Sequence, residues 1–149
     1  MTPEDGTFAY TEGSFIGYRG HHAGLAACPA FWFGSGLGHG SWEYSDAAVD
    51  ASGDASVVTV SLRNIADRDS REVVQVYFAP AAPDQPVRLV GWADAQVPAG
   101  GRAQVAVRCD ARMWRRWDAE AGCWGRLDSA GEFLIARGLG DVRLRIGVS

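Results

Sequence analysis

From about Ser56 onward, apolar and polar residues alternate with the two-residue period of strands that bury one face. In "SVVTVSLRN", Val58, Val60 and Leu62 fall on one face, and Thr59, Ser61 and Arg63 on the other. The pattern recurs in "REVVQVYFAP", where Val74, Val76 and Phe78 oppose Val73, Gln75 and Tyr77. It is clearest in "RAQVAVRCD", where Ala103, Val105, Val107 and Cys109 oppose Arg102, Gln104, Ala106 and Arg108. "GEFLIARG" and "DVRLRIGV" add two more strands near the end. Turn-forming runs separate them: "IADRDS" after Asn64, "APAAPDQP" after Phe78 and "VPAGGR" before the strand at Arg102. Short strands at this spacing, with no helical period between them, predict an all-β antiparallel sandwich or barrel.

Residues 1–41 carry no steady period. They are rich in glycine and aromatics (Phe8, Tyr10, Phe15, Tyr18, Phe31, Trp32, Phe33) and read as an irregular, packed arm. That much aromatic surface has to lie against something, because left in water it makes a large adhesive patch. The stretch "FWFGSGLGHGSWEYSD", at the end of the arm, reads either as a ligand site or as a sharp turn entering a sheet.

Length and composition narrow the function classes. A chain of 149 residues is about one domain long, enough to bury roughly 70% of the surface its unfolded form exposes. With 47% hydrophobic and 21% charged residues it matches ordinary globular proteins, and no membrane association is expected. A net charge of −4 argues against a broad attraction to phosphate backbones, so nucleic acid is not an expected partner. The opening "MTPEDGTFAY" has acids where a secretory signal has bases, and the expected location is the cytoplasm. Three cysteines (Cys28, Cys109, Cys123) show no C-x-x-C spacing and are expected to be reduced thiols; whether Cys109 and Cys123 pair stays open.

No reactive constellation emerges. His21 and His22 are adjacent and diverge on most backbones, and neither they nor His39 has a carboxylate or cysteine at a ligand offset, so no metal site is assigned. "GHGSW" lacks the G-x-S-x-G elbow that exposes a nucleophilic serine. Asp118 and Glu120 sit in a polar connection, "WDAEAG", where solvated side chains are expected rather than a hydrolytic pair. Six tryptophans (Trp32, Trp42, Trp92, Trp114, Trp117, Trp124) read chiefly as packing, with sugar stacking as the alternative; Trp117 and Trp124 are expected to cover one end of the core. No catalytic residue, metal ligand or cofactor is assigned, and substrate-binding residues stay open.

The order of several short motifs carries more information than any one of them. "YTEGSFIGYR", "PAFWFGSGLGHGSWEYSD", "VVTVSLRNIADRDSREVVQVYFAP", "PVRLVGWADAQVPAGG", "RWDAEAGCW" and "GEF" resemble, in that order, the C-terminal region of family 3 glycoside hydrolases of the β-glucosidase and β-xylosidase type. Glu12, Gly13, Gly17, Tyr18 and Arg19 match that family's E-G-x-x-x-G-Y-R segment. Phe33, Gly34, Gly36 and Leu37 match its glycine turn, with Glu43, Tyr44 and Ser45 following. Glu72, Val73, Val74, Gln75 and Tyr77 match E-V-V-Q-x-Y; Leu89, Gly91, Pro98, Gly100, Trp117, Asp118, Trp124, Gly131 and Phe133 match the remainder. The chain departs at Gly20-His21-His22-Ala23, where the family tends to continue with aromatics and an acid, and at Gly38-His39, where Ser-Tyr is usual.

The resemblance implies a fibronectin type III-like (immunoglobulin-like) β-sandwich over residues 42–149. Residues 1–41 would be the end of the preceding α/β sandwich domain and the crossing from it. It also implies that the family's catalytic aspartate and acid/base glutamate lie upstream of the matching segment. The expected function is therefore a non-catalytic module that packs against and stabilises the catalytic domains of a parent glycosidase, with self-association as a further expectation. The alternative is a freestanding carbohydrate-binding or adhesion module.

Overall fold

The computed structural model describes residues 6–7, 10–50, 55–126 and 130–148. Val58, Val60 and Leu62 are fully buried on the inner face of strand β2 (Val57–Asn64). This strand pairs antiparallel with β1 (Trp42–Asp50) on one side and β5 (Arg102–Arg108) on the other, giving a three-stranded sheet. A four-stranded sheet faces it. Its spatial order is β4 (Arg88–Val97), β3 (Ser70–Pro80), β8 (Gly131–Gly138) and β9 (Asp141–Val148), all antiparallel. Between the two sheets Val58, Val60, Leu62, Val105 and Val107 meet Val74, Val76, Phe78, Phe133 and Ile135. This is the sandwich that the alternation predicts.

Two buried polar details close the layers. Asn64 is completely buried at the end of β2, where its amide nitrogen reaches the carbonyls of Arg68 (2.8 Å), Val97 (3.0 Å) and Pro98 (3.2 Å). Its Oδ1 accepts the Ala66 N–H, so one side chain fixes the "IADRDS" turn and ties it to the end of β4. At Gly91 of β4, a Cβ would stand 2.5 Å from the Arg108 carbonyl oxygen, so glycine lets β4 approach β5 along the sandwich edge.

Simple alternation fails in β3. Val73, Gln75 and Tyr77 alternate with the core residues, yet they are also buried, because the N-terminal arm covers the second face of the sheet. A second, smaller apolar cluster forms there: Tyr77, Val87, Leu134, Ala136 and Leu139, with Tyr18 and Trp32 of the arm packed on it. The arm includes one short helix, α1 (Tyr18–His22). The Tyr18 ring stacks on Phe33 at 4.6 Å, and its hydroxyl accepts the Leu89 N–H. Phe8, one of the arm aromatics, lies outside the described residues.

The tryptophans need a correction. The residue that covers the core is Trp114, at the end of a 3-10 turn (Ala111–Trp114); its indole meets Phe78 edge-on at 4.4 Å and Phe133 at 5.6 Å. Asp110 caps that turn by accepting the Arg112 N–H (2.8 Å), which sets the inward direction of the last residue. Trp117 and Trp124 instead sit opposite each other on a separate hairpin, β6 (Arg115–Asp118) and β7 (Cys123–Arg126), and are 51% and 62% exposed. Asp118 accepts the N–H groups of Glu120 and Ala121 and so shapes the hairpin's turn, while Glu120 is exposed. The cysteines are free thiols: Cys109 is buried against the core, and Cys28 and Cys123 are exposed.

Two stability predictions follow from this core. Phe78→Ala removes the ring against which Trp114 and Phe133 pack, and should cost about 3–5 kcal/mol, read as a fall in the urea midpoint with an unchanged m-value. Burial pushes the Cys109 thiol up to about 12. The unfolded chain's thiol ionises near its ordinary value while the folded one still holds its proton, so the stability it contributes is whole below that value and is lost as pH rises towards 12. The urea midpoint should therefore fall less steeply with alkaline pH in Cys109→Ala than in the unmodified chain.

Candidate functional site

The most developed polar arrangement in the molecule joins the arm to the sandwich. Glu72, near the start of β3, is 1% exposed. A carboxylate removed from water costs several kcal/mol unless it is paired and hydrogen-bonded. Here its Oε1 receives the Arg137 Nε (2.7 Å) and the Tyr44 hydroxyl (2.9 Å). Arg137, from β8, extends its Nη2 to the Gly38 carbonyl (3.1 Å), which fixes the glycine loop before β1. Burial, and secondarily the Glu72 charge, push the Tyr44 hydroxyl well above its ordinary value, so it remains a donor at any ordinary pH.

A second group of contacts lies beside the first. The Gln75 side-chain nitrogen donates to the carbonyls of Gly34 (2.9 Å) and Arg137 (2.6 Å), and its Oε1 lies 2.6 Å from the Tyr77 hydroxyl. The same hydroxyl is 3.3 Å from the Phe33 carbonyl, and burial raises its pKa as well. The loop therefore docks through its backbone. At Gly34, φ is +84°, and a Cβ there would collide with the Gln75 side chain and stand 2.8 Å from the Tyr77 hydroxyl oxygen; only glycine suits both the conformation and the contact. At Gly38, a Cβ would stand 2.6 Å from the second carboxylate oxygen of Glu72.

With its inner side held in this way, the arm turns several large apolar residues outward. Tyr10 is 80% and Phe31 86% exposed, and Ile16, Leu25 and Leu37 are exposed with them. Among the described residues no group of histidine, cysteine and carboxylate side chains could hold a metal. His21 Nδ1 is engaged with the Ala27 carbonyl (2.6 Å), and burial together with the Arg145 charge lowers the pKa of His22. What the geometry can do is hold two pieces of structure together and present an apolar surface.

A fibronectin type III-like domain model matches residues 72–137, the span from Glu72 to Arg137. The chain is 33% identical over 140 residues to an exo-α-(1→6)-L-arabinopyranosidase of Bifidobacterium longum, a match covering 91% of this chain and 18% of that enzyme. It is 30% identical over 151 residues to a β-glucosidase of Rhizobium radiobacter, covering 97% of this chain and 18% of that enzyme. A solved β-glucosidase from Streptomyces venezuelae superimposes with a TM-score of 0.82 at 31% identity, over 93% of this chain and 18% of the enzyme. The chain is a fibronectin type III-like segment of the family 3 glycoside hydrolases. It spans about a fifth of the length of the relatives it matches.

Within this family 3 segment the motif residues have structural tasks. F-G-x-G-L (Phe33, Gly34, Gly36, Leu37) and E-V-V-Q-x-Y (Glu72 to Tyr77), far apart in the chain, are the two halves of one joint. Tyr18 of G-Y-R and Leu89 of the L-x-G strand meet under the arm. Arg137 was not singled out from the sequence. The available signal was a lone cation inside the otherwise apolar run "FLIARG", which has to find a partner once the strand is buried. Tyr44 lay within a recognised motif, but its bond to Glu72 had no sequence signal.

The joint makes a quantitative prediction. Arg137→Met leaves Glu72 buried without its cation and should destabilise the chain by about 3–5 kcal/mol. The double variant Arg137→Met with Glu72→Gln should recover a good part of that loss, as a double-mutant cycle of urea midpoints at neutral pH would show. Simple additivity of the two single changes would show that Glu72 and Arg137 are not energetically coupled.

Proposed function

We propose that this chain is the C-terminal, non-catalytic fibronectin type III-like module of a longer family 3 glycoside hydrolase of the β-glucosidase type, in which it braces the catalytic domains that precede it. On this reading residues 1–41 are the end of the preceding domain and the crossing to the sandwich, and residues 42–149 are the module itself. The observation that carries the proposal is the two-sided arm. Its inner side is fixed to β3 and β8 by Gln75, Tyr77 and Arg137, and its outer side presents Tyr10, Ile16, Leu25, Phe31 and Leu37.

An apolar surface of this kind on a hydrogen-bonded scaffold fits a permanent intramolecular interface better than a solvated loop. The partner of that surface is the catalytic part of the same enzyme. Without it, copies of the chain are expected to cover the surface for one another.

The purified chain should leave aryl β-glucosides intact and should self-associate as its concentration rises, with Phe31→Ser reducing the association in sedimentation experiments. Glycoside turnover that follows this chain through purification would overturn the non-catalytic reading. A monomer that stays compact at high concentration would overturn the reading of the arm's outer side.

A further inference from the structure

A groove of about 420 Å³ lies between the β6–β7 hairpin, the β3–β4 connection and the arm. Its lining includes Arg19, Arg88, Arg112, Arg115, Arg116, Trp117 and Trp124, and no acidic residue among the described residues. Five cations in one groove contrast with the chain's net charge of −4. Two of the five have carboxylates at its margin: Arg112 pairs with Asp110 (2.6 Å) and Arg116 with Asp84 (3.1 Å). Arg88 donates to the Arg115 carbonyl (3.0 Å) and to Gln85 Oε1 (2.5 Å). Arg19 lies over the Tyr18 ring at 5.7 Å, and neither it nor Arg115 forms a carboxylate ion pair among the described residues, although the Arg115 charge helps to lower the pKa of Asp110. Arginines outnumber the carboxylates around the groove, and the Arg19 charge adds to burial in lowering the pKa of Arg88.

The two indoles supply the other half of the recognition chemistry. They meet edge to face across the hairpin at 5.5 Å with an interplanar angle of 71°, and both are more than half exposed, so aromatic surface is accessible beside the cations. Burying such exposed aromatic area is favourable, and a pyranose ring has an apolar face suited to it. Guanidinium forks bind carboxylates with paired, charge-assisted hydrogen bonds. The groove falls in the size range of small-ligand sites, which suits one or two sugar rings better than an extended acidic peptide.

We infer that this groove binds a carboxylated saccharide, a uronic-acid-bearing mono- or disaccharide, with its carboxylate on Arg19 and Arg115 and a ring face on Trp117 or Trp124. The inference is independent of the bracing role, because it uses the hairpin and not the outward apolar side of the arm.

The test is a titration of the 149-residue chain with digalacturonic acid, followed by calorimetry and by the indole N–H resonances. Cellobiose, citrate, inorganic phosphate and a tetra-aspartate peptide serve as comparison ligands. Saturable binding that moves the Trp117 and Trp124 resonances and weakens with added salt is the expected result. Arg115→Gln should weaken it about tenfold or more, by loss of charge-assisted hydrogen bonds, and Trp124→Ala should weaken it severalfold. Both side chains are on the hairpin and outside the core, so thermal midpoints should stay near that of the unmodified chain and show that folding is intact. Cellobiose should bind at least tenfold more weakly. Absence of saturable binding by a folded chain, equal binding of cellobiose, or unchanged affinity in both variants would overturn the inference. Citrate, phosphate or the peptide binding as tightly as the uronate would overturn the saccharide assignment.

Discussion

The buried carboxylate of Glu72 constrains everything around the arm. A charge that is 1% exposed cannot stay there unpaired, so β3 needs a cation from β8 and a hydroxyl from β1, which Arg137 and Tyr44 provide. With Glu72 itself these residues come from three strands in two sheets, so the charge fixes the relative position of the sheets at that end of the sandwich. Arg137 then has donors left over, and one of them captures the Gly38 carbonyl. The loop that leads into β1 is thereby held by the same charge that holds the sheets. An apolar contact in that place would tolerate sliding; a buried, hydrogen-bonded ion pair tolerates much less, because each displacement strands a desolvated group.

Most of the sandwich is legible in the chain, and the reason is geometric. Where one face of a strand meets the core and the other meets water, as in β2 and β5, the side-chain period is two and the sequence prints it. Where both faces are covered the period carries less information. In β3 the alternation of Val74, Val76 and Phe78 with Val73, Gln75 and Tyr77 locates the strand but does not show that the second set is buried too, because the cover comes from residues some forty positions away. The arm itself has no period at all, since its contacts are made by backbone carbonyls, by glycines and by single aromatic rings. Trp114 and the Trp117–Trp124 pair show the same limit at short range. All three sit in one connection, and only the Asp110-capped turn decides which of them points at the core.

The joint was legible in a different way. The motifs around Phe33 and around Glu72 carry the family resemblance, but nothing in either segment states that they touch. The structure gives the physical reason for their residue types: a glutamine that can donate twice, a tyrosine whose hydroxyl stays protonated, and a glycine whose conformation and lack of Cβ let the loop settle onto both. The departure at Gly38 belongs to the same site. A Cβ at that position would press on the second carboxylate oxygen of Glu72, so a serine there would require the carboxylate or the loop to shift. The other departure, Gly20-His21-His22-Ala23, lies in and just after the short helix. There the buried Gly20 sits close to the Phe15 carbonyl, and His21 closes a local turn onto Ala27.

The two apolar clusters differ in size, and that difference bears on how such a segment works inside a larger enzyme. The inter-sheet cluster draws its buried residues from β1, β2, β3, β4, β5 and β8 and is complete without the arm. The cluster under the arm has five buried members and depends on Tyr18 and Trp32 for its cover. Regions with few buried apolar contacts open at lower free energy than the core of the same domain. The arm is therefore the weaker cooperative unit, and its polar clamp compensates for a thin apolar contact by making the docked geometry specific. Packing a further domain on Tyr10, Leu25 and Phe31 would add apolar burial to the unit that has least of it. Such packing would stabilise the arm from its outer side while the sandwich, already stable, served as the fixed support.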